Sequence, residues 1–287
     1  MALSTINLTS GMRANLFSLQ QTAKDFDITQ KRLSTGLKVN TALDDPINFF
    51  NAQEHLLRAS DLASRKDGMS EAIQTIKAAN VGVEGINNLI AQAKSLAQSA
   101  MSAANTTEAE ALSTQYGTVM TQINEMAADS GYKGVNLLQE GSLTVEFAPT
   151  AGQSNLSLTG FGDSTAAFMI TGLDSEVTGA TGLGTDWADD TSIDTAAIQT
   201  SIDNLESAMG ALRTESKTLS NNLSIITARD DFTSQMINTL GDGAAKLTEA
   251  DMNEEGANLL MLQTRQALGT TSLSLASQAA QSVLRLF

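Results

Sequence analysis

The stretch Ser272–Phe287, SLSLASQAAQSVLRLF, places an apolar pattern at the end of an acidic chain. Steps of four and three residues back from Phe287 meet apolar or small residues at every position but one: Val283, Ala280, Ala276, Leu273, Gly269, Gln266, Leu262 and Leu259. A repeat of about 3.5 residues is typical of a helix that packs lengthwise on another helix. Because chain ends are usually polar and frayed, we expect this end to have a helical partner.

The start of the chain carries a matching pattern. The same steps forward from Met12 meet one polar residue, Gln30, in the row Met12, Leu16, Leu19, Ala23, Phe26, Gln30, Leu33 and Leu37. Thr9 or Ser10 is suited to cap the start of this helix, and Gly36 is suited to end it. The two rows, which we call the terminal seams, predict two helices that pair with each other.

A long second helix is predicted to begin in the stretch LDDPINFF, residues 43–50. Asp45 can accept backbone N–H groups as the N-cap, and Pro46 at the first helical position gives up no needed donor. No helix-breaking cluster follows until about residue 104. A helix of this length needs neighbours along its whole length.

A third helix and a small β region are expected next. Thr107 and Glu110 have the spacing of a capping box, which predicts the start of the third helix. Residues 141–173 alternate short apolar stretches with Gly, Asp and Ser, as β-hairpins do. A loop rich in Gly and Thr follows, with acidic residues at Asp186, Asp189, Asp190 and Asp194.

A return helix is predicted from about Asp194 to Leu240. Gly241 and Gly243 are expected to break it, and Thr248 or Asp251 is expected to begin the last helix. The pattern therefore favours a mainly α fold: a long antiparallel coiled-coil helix bundle with paired terminal helices and a small β-hairpin tip.

Composition argues against several classes of function. The chain has 17 Lys and Arg against 32 Asp and Glu, so its net charge of −15 disfavours nucleic acid and anionic membrane surfaces as partners. It has no cysteine, and so no disulfide or thiolate site. We also expect no cleaved secretory signal peptide, because the N-terminal residues lack the charged and apolar blocks of such a signal.

No arrangement of residues indicates catalysis, a metal or a cofactor. The single histidine, His55, follows Glu54 on a helix, where adjacent side chains point too far apart to bind one metal ion. The stretch GFGDST, residues 160–165, is more typical of a hairpin turn than of a phosphate loop. The aspartates between 186 and 194 lack the glycine and glutamate of an EF-hand, which favours a solvated acidic loop.

Three stretches together resemble the bacterial flagellins, the subunits of flagellar filaments, and in particular those of alphaproteobacterial type. The first is ITQKRLSTGLKVNTALDDPINFFNAQ (28–53), which is similar to the family's RLSTGL signature. The second is INEMAADSGYKGVNLL (123–138), and the third is ADMNEEGANLLMLQTRQALGTTSLSLASQAAQSVLRLF (250–287). The resemblance covers roughly residues 1–140 and 194–287.

The resemblance implies a structural protein that self-assembles into a filament for swimming motility. Residues 1–40 with 250–287 would form the inner core, and residues 41–140 with 194–249 the outer tube. Residues 141–193 would form a short surface-exposed region. The resemblance also implies an extracellular location, export through the flagellar type III channel, and contacts with the filament cap, the hook-filament junction proteins and a chaperone at the C-terminal helix.

The terminal seams are then expected to supply contacts in the assembled homopolymer. The predicted interface residues are Met12, Leu16, Leu19, Ala23, Phe26, Leu33, Leu262, Leu273, Ala276, Ala280, Val283 and Phe287. Two other functions share some of these features. A hook-filament junction protein has the same terminal helices, and an intracellular coiled-coil scaffold would have similar heptads.

Overall fold

A computed structural model describes residues 10–139, 141–149, 154–161, 187–188 and 192–284. Within these ranges the chain forms five helices and one antiparallel pair of strands. The elements are α1 (Ser10–Thr35), α2 (Pro46–Met101), α3 (Thr106–Asp129), β1 (Ser142–Glu146), β2 (Asn155–Thr159), α4 (Thr195–Thr248) and α5 (Met252–Leu284). The mainly α fold with a small hairpin, predicted from sequence, is confirmed.

The chain divides into two compact units. The terminal unit comprises residues 1–58 and 238–287, and the central unit comprises residues 59–237. Helices α2 and α4 each supply residues to both units.

In the terminal unit, α1 and α5 pack against each other. Helix α1 ends as predicted at Gly36, whose φ of 73° is readily adopted only by glycine. The backbone beyond it pairs with the segment before α5: Lys38 N donates to Thr248 O at 2.8 Å, and Ala250 N donates to Gly36 O at 2.9 Å. These bonds join the end of α1 to the start of α5.

Two aspartates begin helices of the terminal unit, as predicted. Asn48 N donates to Asp45 Oδ1 at 3.1 Å, just after Pro46 opens α2. The Asp251 carboxylate accepts from Asn253 N at 2.9 Å at the start of α5. In each case a side-chain oxygen satisfies an N–H group that has no partner inside the helix.

The start of α3 differs from the prediction. Its N-cap is Asn105, whose side chain accepts from Glu108 N at 2.9 Å, while Glu108 Oε2 accepts from Ala104 N at 3.0 Å. The predicted capping box of Thr107 and Glu110 was therefore wrong by two residues. Asparagine is at least as good an N-cap as threonine, and here it has its own glutamate three residues on.

The predicted break in α4 was also wrong. The helix continues through Gly241 and Gly243 to Thr248. A helical glycine costs only about 1 kcal/mol relative to alanine, and a long helix with packed neighbours tolerates this. Gly243 also lies against His55, whose Cδ2 would be 3.7 Å from a Cβ at that position.

The core of the central unit is formed by α2, α3 and α4. Its largest fully buried side chains are Met69, Ile76, Ile86, Ile90, Tyr116, Met120, Ile123, Leu137, Leu138, Ile198, Leu205 and Leu212. Helix α3 comes close to α2 at Gly85, where an added Cβ would clash with Met126 Sδ. The chain leaves α3 through a turn with positive φ at Lys133 and Gly134.

The hairpin of β1 and β2 is held on the central unit by two arginines. The strands pair in the register Leu143 with Leu158. Arg65 Nη1 lies 2.7 Å from Glu146 Oε2 on β1, and the Arg229 guanidinium lies 5.2 Å from the centre of the Phe147 ring. Of the predicted hairpin region, residues 162–173 lie outside the described residues.

The segment before α4 is anchored by a tryptophan. The Trp187 ring is buried with its centre 4.7 Å from that of Tyr116 on α3, and its Nε1 donates to Ser201 Oγ at 3.2 Å. Asp194 is the N-cap of α4 and accepts from Ala196 N and Ala197 N, each at 3.0 Å. The role of this aspartate is therefore to begin a helix.

Candidate assembly surface

Contacts between α1 and α5 fix an antiparallel pair. Arg32 Nη1 lies 2.9 Å from Glu255 Oε1 near the end of α1 and the start of α5. Farther along, a Cβ added at Gly269 would lie 2.9 Å from Leu19 Cδ1, so the two helices approach closely there. Beyond this point, Asn15 Nδ2 donates to Ser272 Oγ at 3.2 Å.

Glu255 is held by a partly buried ion pair. Its side chain is 10% exposed and that of Arg32 is 40% exposed. Glu255 Oε2 is buried and has no hydrogen-bond partner among the described atoms. A buried carboxylate without a counter-charge lowers the stability of the fold, so the Arg32 guanidinium is the group that stabilises Glu255 at this buried position.

The turn between α1 and α2 is closed by Asp44. Thr41 N and Asn40 N donate to Asp44 Oδ2 at 2.9 and 3.1 Å. These bonds, the one from Thr41 N first, hold the pKa of Asp44 below its ordinary value of 3.8 because they favour the ionised carboxylate.

The predicted seam residues lie in the pair of terminal helices, with different degrees of burial. Leu262 is buried and Leu16 is 38% exposed. The other described members are half-buried in the single chain: Met12, Leu19, Ala23, Phe26, Leu33, Leu273 and Ala276. The side chains of Ala280 and Val283, and the whole of Phe287, lie outside the described residues. That these residues contact further copies of the chain stays a prediction.

A second apolar face of α5 is exposed, and the seam does not include it. Leu260, Leu268 and Leu275 are 66%, 66% and 61% exposed, and Met261 is 48% exposed. We call these four residues the outward face of α5. On the helix Leu260 lies roughly opposite Leu262, while Met261, Leu268 and Leu275 lie about 100–140° around the helix from it, since successive residues turn by about 100°. Helix α5 is therefore apolar both towards α1 and away from it.

The sequence contained a signal for this second face. Four successive apolar residues, Leu259–Leu262, cover almost the whole circumference of a helix. A helix that is apolar all round is normally buried on all sides. A single row of residues at 3.5-residue spacing identifies only the buried face of α5. It does not include the exposed face.

Helix α1 also exposes large apolar side chains. Phe17 is 71% exposed and Ile28 is 50% exposed. Full burial of one such side chain contributes about 1.5–3 kcal/mol. Large exposed apolar patches on soluble proteins mark surfaces of interaction, so both terminal helices are candidates for contacts with another molecule.

Within the described ranges, no His, Cys, Asp and Glu side chains are grouped as metal ligands. None of the helices in that part of the chain is long and apolar enough to cross a membrane. His55 is half-buried beside Gly243. In the stretch GFGDST, Gly160 N donates to Gly141 O at 2.7 Å at the base of the hairpin, while residues 162–165 lie outside the described residues. Asp186, Asp189 and Asp190 also lie outside the described residues.

Comparison with known proteins gives a consistent result. Residues 4–142 match the bacterial flagellin N-terminal helical region. Over 291 residues, and 100% of both chains, the protein is 29% identical to flagellin FljM of Caulobacter vibrioides. It is 27% identical to a flagellin of Brucella melitensis over 293 residues, which are 99% of each chain.

Among solved structures, Bacillus cereus flagellin aligns with 58% of this chain and 88% of its own at 17% identity and a TM-score of 0.45, too low to bear on the fold. The family match and the full-length relatives cover the two terminal helices and the long helices between them. Along its whole length the chain is similar to bacterial flagellins.

Proposed function

We propose that the protein is the structural subunit of a flagellar filament and that the outward face of α5 is one of its contacts with further copies. The observation that carries this proposal is the exposure of Leu260, Leu268 and Leu275 on a helix whose other face already packs on α1. A contact between two different surfaces of identical copies produces a filament when its rotation does not close into a ring.

Because each copy is strongly acidic, burial of apolar surface is the more important contribution to the free energy of association. Each copy carries a net charge of −15, so copies repel one another at low ionic strength. Burial of apolar surface is not weakened by this repulsion or by salt screening, and it is the dominant favourable term in most protein association. The apolar outward face of α5 therefore suits a polymer of acidic subunits.

The layers and partners of the filament are part of the same proposal. Residues 1–40 with 250–287 form its inner core, residues 41–140 with 194–249 its outer tube, and residues 141–193 its exposed surface. The subunit is exported to the extracellular filament. It meets an export chaperone at the C-terminal helix, and it meets the cap and the hook-filament junction proteins in the filament. As a structural protein of this polymer it has no enzymatic role.

Seeded elongation tests the role of the outward face. Purified full-length protein is added to filament fragments, and growth is followed by electron microscopy. Leu268→Ser is expected to slow elongation at least about tenfold, because the loss of about 1.5–3 kcal/mol at each contact corresponds to a factor of ten or more. Val81→Ser is the matched control, since Val81 is 70% exposed on α2 of the central unit. Equal growth of the two variants would contradict the assignment.

A further inference from the structure

Helix α1 presents an exposed row of basic and apolar side chains on the terminal unit. Steps of three or four residues, which keep to one helix face, meet Arg13, Phe17, Gln20, Lys24 and Ile28. All five are exposed. Among the described residues, neither Arg13 nor Lys24 has a carboxylate in ion-pair contact. We call this row the basic stripe of α1.

The start of α2 presents an exposed row of the opposite character. Ile47, Phe50 and Leu57 are 72%, 62% and 58% exposed, and Glu54 between them is exposed as well. These four residues also follow one another in steps of three or four. Leu43, in the turn before the helix, is 96% exposed. We call the four helical residues the acidic stripe of α2.

The two stripes match in order and spacing when read in the same direction. Phe17 precedes Lys24 by seven residues, and Ile47 precedes Glu54 by seven. An apolar residue follows each charge within one helical turn: Ile28 follows Lys24, and Leu57 follows Glu54. Two helices placed side by side in parallel in this register set Phe17 opposite Ile47 and the Lys24 ammonium opposite the Glu54 carboxylate.

Within one chain the two stripes do not cover each other, since both belong to the terminal unit and both are exposed. A cavity of about 240 Å³ lies where the basic stripe ends, and it is lined by Ile28, Lys31, Arg32, Leu37, Lys38, Asn40 and Asp44. The end of the basic stripe at Ile28 therefore lies beside the turn that leads into α2.

We infer that the basic stripe of α1 in one copy packs in parallel on the acidic stripe of α2 in another copy, with Lys24 opposite Glu54. This inference rests on the proposed function, because the partner is a second subunit of the filament. The contact joins two different surfaces, as a contact that repeats along a helical filament does. It is separate from the outward face of α5, and in an acidic chain it supplies attraction between opposite charges where copies meet.

A charge exchange tests the pairing. In seeded elongation, Lys24→Glu and Glu54→Lys are each expected to reduce the growth rate at least about tenfold, since like charges placed in contact cost several kcal/mol. The double variant restores an opposite pair and is expected to return growth to within about threefold of wild type. Lys77→Glu and Asp242→Lys make the same charge changes at exposed positions outside the stripes and are expected to leave growth near the wild-type rate.

Four results would overturn the inference. The first is that the single variants grow as fast as their controls, and the second is that the double variant grows no better than the slower single variant. The third is that the double exchange restores the Tm of the monomer and leaves elongation impaired, which places the contact inside one chain. The fourth is that the wild-type chain fails to extend seeds. The last result refutes the proposed function itself. The first three, obtained with a wild type that elongates, refute only the pairing of the stripes.

Discussion

The Arg32 guanidinium lies 2.9 Å from the Glu255 carboxylate and joins the end of α1 to the start of α5 across 223 residues of chain. Glu255 is the more buried partner, and its second oxygen has no hydrogen-bond partner among the described atoms. The pair sets the position of one terminal helix along the other near the point where the backbone hydrogen bond from Ala250 N to Gly36 O also joins them.

Loss of Arg32 is expected to weaken the pairing of the terminal helices. Arg32→Ala leaves the buried Glu255 carboxylate without its cation, and the loss is expected to be about 1–3 kcal/mol, the range for hydrogen bonds to charged groups and their unpaired partners. The measurement is urea unfolding of the monomer, monitored by the circular dichroism signal of its helices. Lys94→Ala is the control, because it removes an ion pair with Glu206, which is 57% exposed. An equal effect of the two substitutions would contradict the special cost of leaving Glu255 unpaired.

Removal of residues 274–287 is expected to abolish elongation and leave the central unit folded. The deletion takes away the last turns of α5, including Leu275 of the outward face and Ala276 of the seam. The measurements are the growth of seeds under the electron microscope and the thermal unfolding of the monomer. Filaments of normal length from the truncated chain would show that the end of α5 is not needed for assembly.

Two glycines of α5 are expected to respond differently to alanine. A Cβ at Gly256 meets no atom within 4 Å, so Gly256→Ala is expected to stabilise the monomer by up to about 1 kcal/mol through helix propensity. A Cβ at Gly269 would lie 2.9 Å from Leu19 Cδ1, and the displacement of that side chain opposes the same gain. Thermal unfolding of the two variants tests this comparison. An equal rise in Tm for both would mean that α1 and α5 do not approach closely at Leu19.

Acid is expected to loosen the turn before α2 by protonating Asp44. The pKa of this carboxyl is lower in the folded chain than its ordinary value of 3.8, because backbone N–H groups of Thr41 and Asn40 bind its ionised form. The stability that it contributes is therefore present above pH 3.8 and is lost as the pH falls through the lower folded value. Titration by NMR of the Asp44 carboxyl and the Thr41 amide measures this, with Asp44→Asn as the control. A midpoint at or above 3.8 would contradict the hydrogen bonds of the turn.

Those parts of the fold that depend on local chemistry were predictable from sequence. Asp45 followed by Pro46, and Asp251 before the last helix, identify helix starts because a side-chain oxygen must satisfy N–H groups in the first turn. The same rule predicts Thr107 as the N-cap of α3, whereas Asn105 has that role, and both residues have a glutamate three positions on. Gly241 and Gly243 predict a break by helix propensity alone, and the packing of the long helix outweighs that cost.

The candidate assembly surface was predictable only in part. The terminal seams follow one row of residues, and this row identifies the mutual pairing of α1 and α5. The outward face of α5 needed a second row from the same helix. The Arg32–Glu255 pair could not be predicted from spacing, because only the folded chain brings residues 223 positions apart together.

Trp187, which packs against Tyr116 and donates a hydrogen bond to Ser201, makes the central unit optically distinct. It is the only tryptophan of the chain, so its emission reports on one place near the start of α4, and Tyr116 at 4.7 Å is positioned to pass excitation energy to it. The terminal helices contain no such fluorophore. Subunit elongation and the melting of the terminal unit can therefore be followed by scattering and circular dichroism, while tryptophan fluorescence shows separately whether the central unit has stayed intact.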